Sequence, residues 1–162
     1  TQAAHQFSGT LLGNIGIKPA PEPINWQLNT QFSGQGRIEK DGWQGQISQF
    51  SNAGEPNIRL KQALNISYNA GEMTLTNLSA DVSEAQLDIE RLSILGARIN
   101  SRGRVNNLII PKWLKWLNIQ TPPNLSTDMT IKGQWDLTMG SAPSGGFVFE
   151  RENGSIWLDK AH

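Results

Sequence analysis

Apolar and polar residues alternate with a period of two along most of this chain, a pattern that suits a half-buried β-strand and cannot build an amphipathic helix. The alternation runs through Trp26, Leu28, Thr30 and Phe32, then Ile58, Leu60, Gln62, Leu64, Ile66 and Tyr68. It returns at Met73 and Leu75, at Leu87 and Ile89, and over Met129, Ile131, Gly133, Trp135, Leu137 and Met139. Each run predicts a strand with one wet face and one apolar face. Parity slips where Leu75 is followed by Leu78 and Ile89 by Leu92, which is the signature of a β-bulge or strand bend.

Turn residues punctuate these runs. Lys40-Asp41-Gly42, Asn52-Ala53-Gly54, Asn69-Ala70-Gly71 and Glu152-Asn153-Gly154 predict hairpins, and their spacing favours an antiparallel meander. A first short strand is expected over about 7–12. Lys18-Pro19-Ala20-Pro21-Glu22-Pro23 reads as an extended linker after it, so that residues 1–25 form a strand and linker of a preceding repeat. One segment reads as helix, near 111–118, where Pro111 suits a first turn and Trp113, Leu114, Trp116 and Leu117 follow at helical spacing. Its two turns are too short to hold a membrane alone, and a plug for one end of a curved sheet is the expected role. The fold class is therefore all-β: a curved, mostly antiparallel sheet with one short capping helix, in a single unit over 1–162.

Chemistry is hard to place on this chain. The two histidines are His5 and His162, and there is no cysteine, so neither a histidine-based nucleophilic pair nor a thiolate metal site is available. Asp81, Glu84, Asp88 and Glu90 form the densest acidic group, but Asp88 and Glu90 alternate with Leu87 and Ile89 and so belong to the wet face of a strand. The segment 140–146 is glycine-rich yet lacks the lysine of a phosphate loop. No enzyme activity, metal or cofactor is expected. Fourteen basic and fourteen acidic residues leave no field for nucleic acid. No apolar run is long enough to cross a bilayer as a helix, and the start Thr1-Gln2-Ala3-Ala4 reads as part of a larger polypeptide.

Locally the charge is uneven. No acidic residue occurs between Arg91 and Thr127, while Arg91, Arg98, Arg102, Arg104, Lys112 and Lys115 do. This region either meets anionic head groups or an acidic partner, or is balanced in space by the acids of 81–90.

Gly42-Trp43-Gln44-Gly45-Gln46-Ile47, Gly103-Arg104-Val105 before the helix, the run 129–137, the run 146–151 and Asn153-Gly154-Ser155-Ile156 together resemble the repeated strand pattern of the TamB family of AsmA-like envelope proteins. The resemblance covers about 26–158. It implies a β-taco whose concave face is an open apolar groove, within an inner-membrane-anchored protein crossing the periplasm of a Gram-negative cell. It also implies work with an outer-membrane β-barrel assembly partner of the TamA type, in phospholipid transport and autotransporter insertion. The cargo is then a phospholipid or an unfolded outer-membrane strand. The groove wall expected on this basis is Trp26, Leu28, Phe32, Ile58, Leu60, Leu64, Ile66, Met73, Leu75, Leu87, Ile89, Met129, Ile131, Trp135 and Leu137. Head-group contacts are expected from Arg98, Arg102, Arg104, Lys112 and Lys115. The alternative is a compact β-sandwich that binds carbohydrate or protein, in which the same apolar residues form a sealed core and loops such as 140–146 carry the function.

Overall fold

A computed structural model describes residues 4–17 and 24–158. The expected linker of 18–23 lies outside them. Strands β1 (His5–Ile17), β2 (Ile24–Glu39) and β3 (Gly42–Asn52) lead into a short β4 (Ile58–Leu60) and β5 (Leu64–Asn69), then β6 (Glu72–Val82), β7 (Ala85–Leu95) and β8 (Arg98–Ile109). Helix α1 (Ile110–Trp116) follows, then β9 (Leu125–Thr127), β10 (Thr130–Met139), β11 (Ser144–Asn153) and β12 (Ile156–Leu158). Ten strands form one antiparallel sheet in the order β1-β2-β3-β4-β6-β7-β8-β10-β11, with β5 sharing the lane of β4 between β3 and β6. β9 and β12 form a separate ribbon.

Sequence and structure differ at identifiable points. The first strand is longer than 7–12, because all of 5–17, including Gly9, Gly13 and Gly16 despite their weak strand preference, pairs with 24–36 of β2. The run 58–68 is split at 61–63, where the lane bends while keeping both neighbours. Asn52-Ala53-Gly54 is not a tight hairpin: Asn52 ends β3, and residues 53–57 loop back along β2 before β4. Nor does Glu152-Asn153-Gly154 form one, since β12 leaves the sheet to pair with β9. The Asn69-Ala70-Gly71 turn forms with left-handed Ala70 (φ 49°) and Gly71 (φ 83°), the backbone that suits a two-residue hairpin.

Strand irregularities line up across adjacent lanes. The β2–β3 register slips beside Ser48, the next lane breaks at 61–63, Asn77 takes a left-handed φ of 62°, and Glu90 is the extra residue between β7 and β8. Bulges bend strands and increase twist, so a row of them curves the sheet. Curvature also explains the helix. α1 lies against both β2 and β8, lanes that would stand about 24 Å apart on a flat sheet. Its first residue is tied down by Ile110 N–H donating to the Met129 carbonyl at 3.0 Å.

The end of the sheet beside the helix is fastened by one buried side chain. Asn52, only 2% exposed, accepts at Oδ1 from Asn29 N (2.8 Å) and Thr30 Oγ1 (3.1 Å), and donates through Nδ2 to the carbonyls of Gln27 (3.2 Å) and Pro56 (2.7 Å). It substitutes for strand pairing where β3 has ended, so its removal strands several backbone groups. Asn52→Ala is expected to lower unfolding free energy by about 3 kcal/mol in urea denaturation, while Gln31→Ala, exposed on the adjoining strand, changes it by well under ~1 kcal/mol.

Candidate functional site

Register fixes which side chains share a face, because residues opposed in an antiparallel pair point the same way. Near the hairpin tips, Ile38, Trp43, Tyr68, Met73, Ile94, Ile99 and Met139 stand in one row across seven lanes. Nearer the middle, Leu60, Ala80, Leu87, Val105, Gly133 and Phe149 form another. Toward the helix come Leu11, Thr30, Asn52, Ile58, Val82 and Ala85. These rows belong to a single face that is almost wholly apolar from the first lane to the last. The other face carries Gln, Ser, Thr, Asn and charged residues, such as the row Thr74, Ser93, Asn100 and Thr138.

The apolar face holds the core, and it is open. All five buried apolar side chains among the described residues, Leu64, Ala80, Val82, Ala85 and Val105, lie on it. Yet Phe32, Ile47, Leu75, Ile89, Leu92 and Leu137 are only half-buried, and Phe147 and Phe149 are exposed. No second sheet covers this face among the described residues. The chain exposes 11161 Å², whereas a compact monomer of its 17.9 kDa exposes about 8,000 Å². A sealed sandwich would bury these residues, so the apolar face is a trough.

Its floor is levelled by a repeated device. Aromatic rings lie over neighbouring glycines: Phe32 over Gly9, Phe7 over Gly34, Trp43 over Gly36 of the next strand and Gly45 of its own, Trp135 over Gly103 and Phe149 over Gly133. A methyl at Gly9 would come within 2.6 Å of the Phe32 ring, and one at Gly103 within 2.6 Å of the Trp135 indole. Glycine gives up strand propensity here so that a ring covers backbone that would otherwise face the trough. The Trp135 indole is held in place by donating to Ser101 Oγ at 2.9 Å.

The expected wall residues fall as follows. Trp26, Leu28, Phe32, Ile58, Leu60, Leu64, Ile66, Met73, Leu75, Leu87, Ile89, Ile131, Trp135 and Leu137 all stand on the apolar face. Met129 precedes β10 and serves the joint with α1 instead. Residues missed by the sequence reading are also on this face. Leu78 and Leu92 follow the bulges, Ile99 and Val105 alternate with Ser101 and Gly103, and Phe147 and Phe149 flank an equally apolar Val148 that hides their alternation.

The expected head-group contacts do not converge. Arg102 and Arg104 stand on the polar face, away from the trough, where Arg102 pairs with Asp136 and Glu90, and Arg104 Nε donates to Asp88 at 3.1 Å. Lys112 pairs with Glu84. Arg98 is exposed at the start of β8 and Lys115 on α1. The basic stretch in sequence is thus largely balanced in space by the acids of 81–90 and by Asp136, which antiparallel register sets opposite it.

Asp88 joins three strands of the polar face, accepting from Ser79 Oγ at 2.6 Å and from Arg104. The Ser79 hydrogen bond, reinforced by the Arg104 guanidinium, holds its carboxyl below the ordinary carboxylate range despite partial burial. A depressed folded pKa contributes stability that is complete above the unfolded value and lost as pH falls through the folded one. Asp88→Asn is therefore expected to be less stable than the parent chain near pH ~7, with the difference vanishing as pH falls through the folded-state pKa, as measured by urea denaturation. Comparison with known protein families, with curated proteins and with solved structures returns no match to this chain.

Proposed function

We propose that this chain is a non-catalytic segment that shields the acyl chains of phospholipids from water between two membranes. The observation that carries the reading is the apolar face that crosses nine lanes unbroken while remaining half-exposed. Exposed apolar patches of this extent mark a binding surface on a soluble domain. Eight lane spacings give about 38 Å of sheet measured around its curve, against roughly 15 Å for one leaflet's acyl chain, so the apolar surface is wide enough to cover one. Two chains with about thirty methylenes would lose more than ~20 kcal/mol on entering water, and a continuous apolar surface offsets that loss.

Lipid is favoured over an unfolded β-strand by the floor itself. A polypeptide strand needs backbone partners for its N–H and C=O groups, and those beneath the trough are already paired between neighbouring lanes. Hydrocarbon needs only apolar contact. The resemblance to the TamB family supports the same reading and supplies its setting: the periplasm, as part of an inner-membrane-anchored protein, with an outer-membrane β-barrel partner of the TamA type. Burial acts collectively in such a trough, so no single residue is catalytic.

The test is native mass spectrometry of the purified chain with added phosphatidylethanolamine. Bound lipid is expected, and Ile131→Arg, on the trough wall, is expected to reduce it about tenfold or more while circular dichroism and Tm stay close to those of the parent. A parent chain that takes up no lipid would remove this reading.

A further inference from the structure

We propose that the outer edge of β11 pairs, antiparallel, with β11 of a second copy of this chain, so that two troughs join into one. The inference rests on the edge and not on what the trough carries. β11 is the last lane of the sheet and all ten of its residues are exposed. Phe147, Val148 and Phe149 are 64%, 53% and 50% exposed. Sheet edges are normally guarded by proline, by charged side chains or by a covering segment, and residues 144–149 of β11 contain neither proline nor charge, the charges Glu150, Arg151 and Glu152 falling in its other half. Residues 156–158 do not cover the edge, because Asp128 accepts from Ser155 N at 2.7 Å and steers them to β9.

The partner is identified by the pattern the edge demands. A strand added here must set apolar residues on the trough side, opposite Phe147 and Phe149, and β11 itself meets that demand. Opposed residues share a face, so the two-fold axis passes through a residue and runs perpendicular to the sheet, leaving the apolar face continuous. Centred on Val148, it sets Phe147 of each copy opposite Phe149 of the other and Glu150 opposite Gly146. Centred on Glu150, it would oppose two carboxylates. The other edge, β1, runs in the same direction as β11 across nine antiparallel lanes, so a β1–β11 joint would be parallel and would propagate without closing. The partner copy thereby contributes its own aromatic residues to the trough.

Because the chain has no cysteine, single-cysteine variants report this register directly. Val148→Cys meets its own symmetry mate at the distance of an opposed pair, within disulfide reach. Gln134→Cys sits one lane inward, directly beside it on the same polar face. Under mild oxidation Val148→Cys is expected to give roughly tenfold more covalent dimer than Gln134→Cys, and the unmodified chain is expected to show a monomer–dimer equilibrium in sedimentation. Equal cross-linking at the two positions, or a parent chain that stays monomeric at every concentration, would overturn the proposal.

Discussion

Everything in this molecule follows from keeping apolar side chains on one face of a sheet that is too wide to stay regular. A strand's side chains alternate, so one inserted residue would send all that follow to the other face. Here the insertions and the sequence change together. Leu75 and Leu78 stand on the same face because Asn77 bulges between them, and Ile89 and Leu92 do so because Glu90 does. The same bulges bend the sheet. Curvature and continuity of the apolar face therefore have one cause, and the trough is its result.

A trough of this kind holds together without a deep core. Only five apolar side chains are buried among the described residues, and four of them are alanine or valine. The ladders of backbone hydrogen bonds, the aromatic rings lying on glycines, the Asn52 hub and the cross-strand contacts of the polar face carry the rest. The ion pairs Arg104–Asp88 and Lys132–Glu150 are exposed and contribute little each. Their value is in register, since a one-residue slip would set Arg104 against Leu87 or Ile89 and Lys132 against Phe149 or Arg151. An interior left half-exposed costs stability that a sealed sandwich would keep, which is the physical reason to read it as a binding surface.

How much of this was legible in the sequence depends on how plainly each strand alternates. Trp26 to Phe32 and Ile131 to Leu137 announce both their strands and their shared face. β8 does not, because Ser101 and Gly103 occupy apolar-face positions, the glycine to admit the Trp135 ring and the serine to accept from its N–H. β11 fails for the opposite reason: Val148 on the polar face makes Phe147 to Phe149 a continuous apolar run. For the basic stretch, the sequence left open a face balanced in space by acids, and antiparallel pairing sets Arg102 and Arg104 opposite Asp136 and Asp88. Whether the alternating residues would seal into a core or line an open trough was beyond reach of periodicity, which is the same in both.

Nuclear Overhauser contacts between a phospholipid's acyl protons and methyl-labelled protein distinguish an apolar face that receives hydrocarbon from a polar face that does not. Contacts are expected to the methyls of Leu75, Ile89 and Ile131, on the trough face, and to be absent at Leu12, Leu95 and Val148, which lie on the opposite face. Contacts distributed equally over both faces, or confined to the polar one, would contradict a trough that receives hydrocarbon.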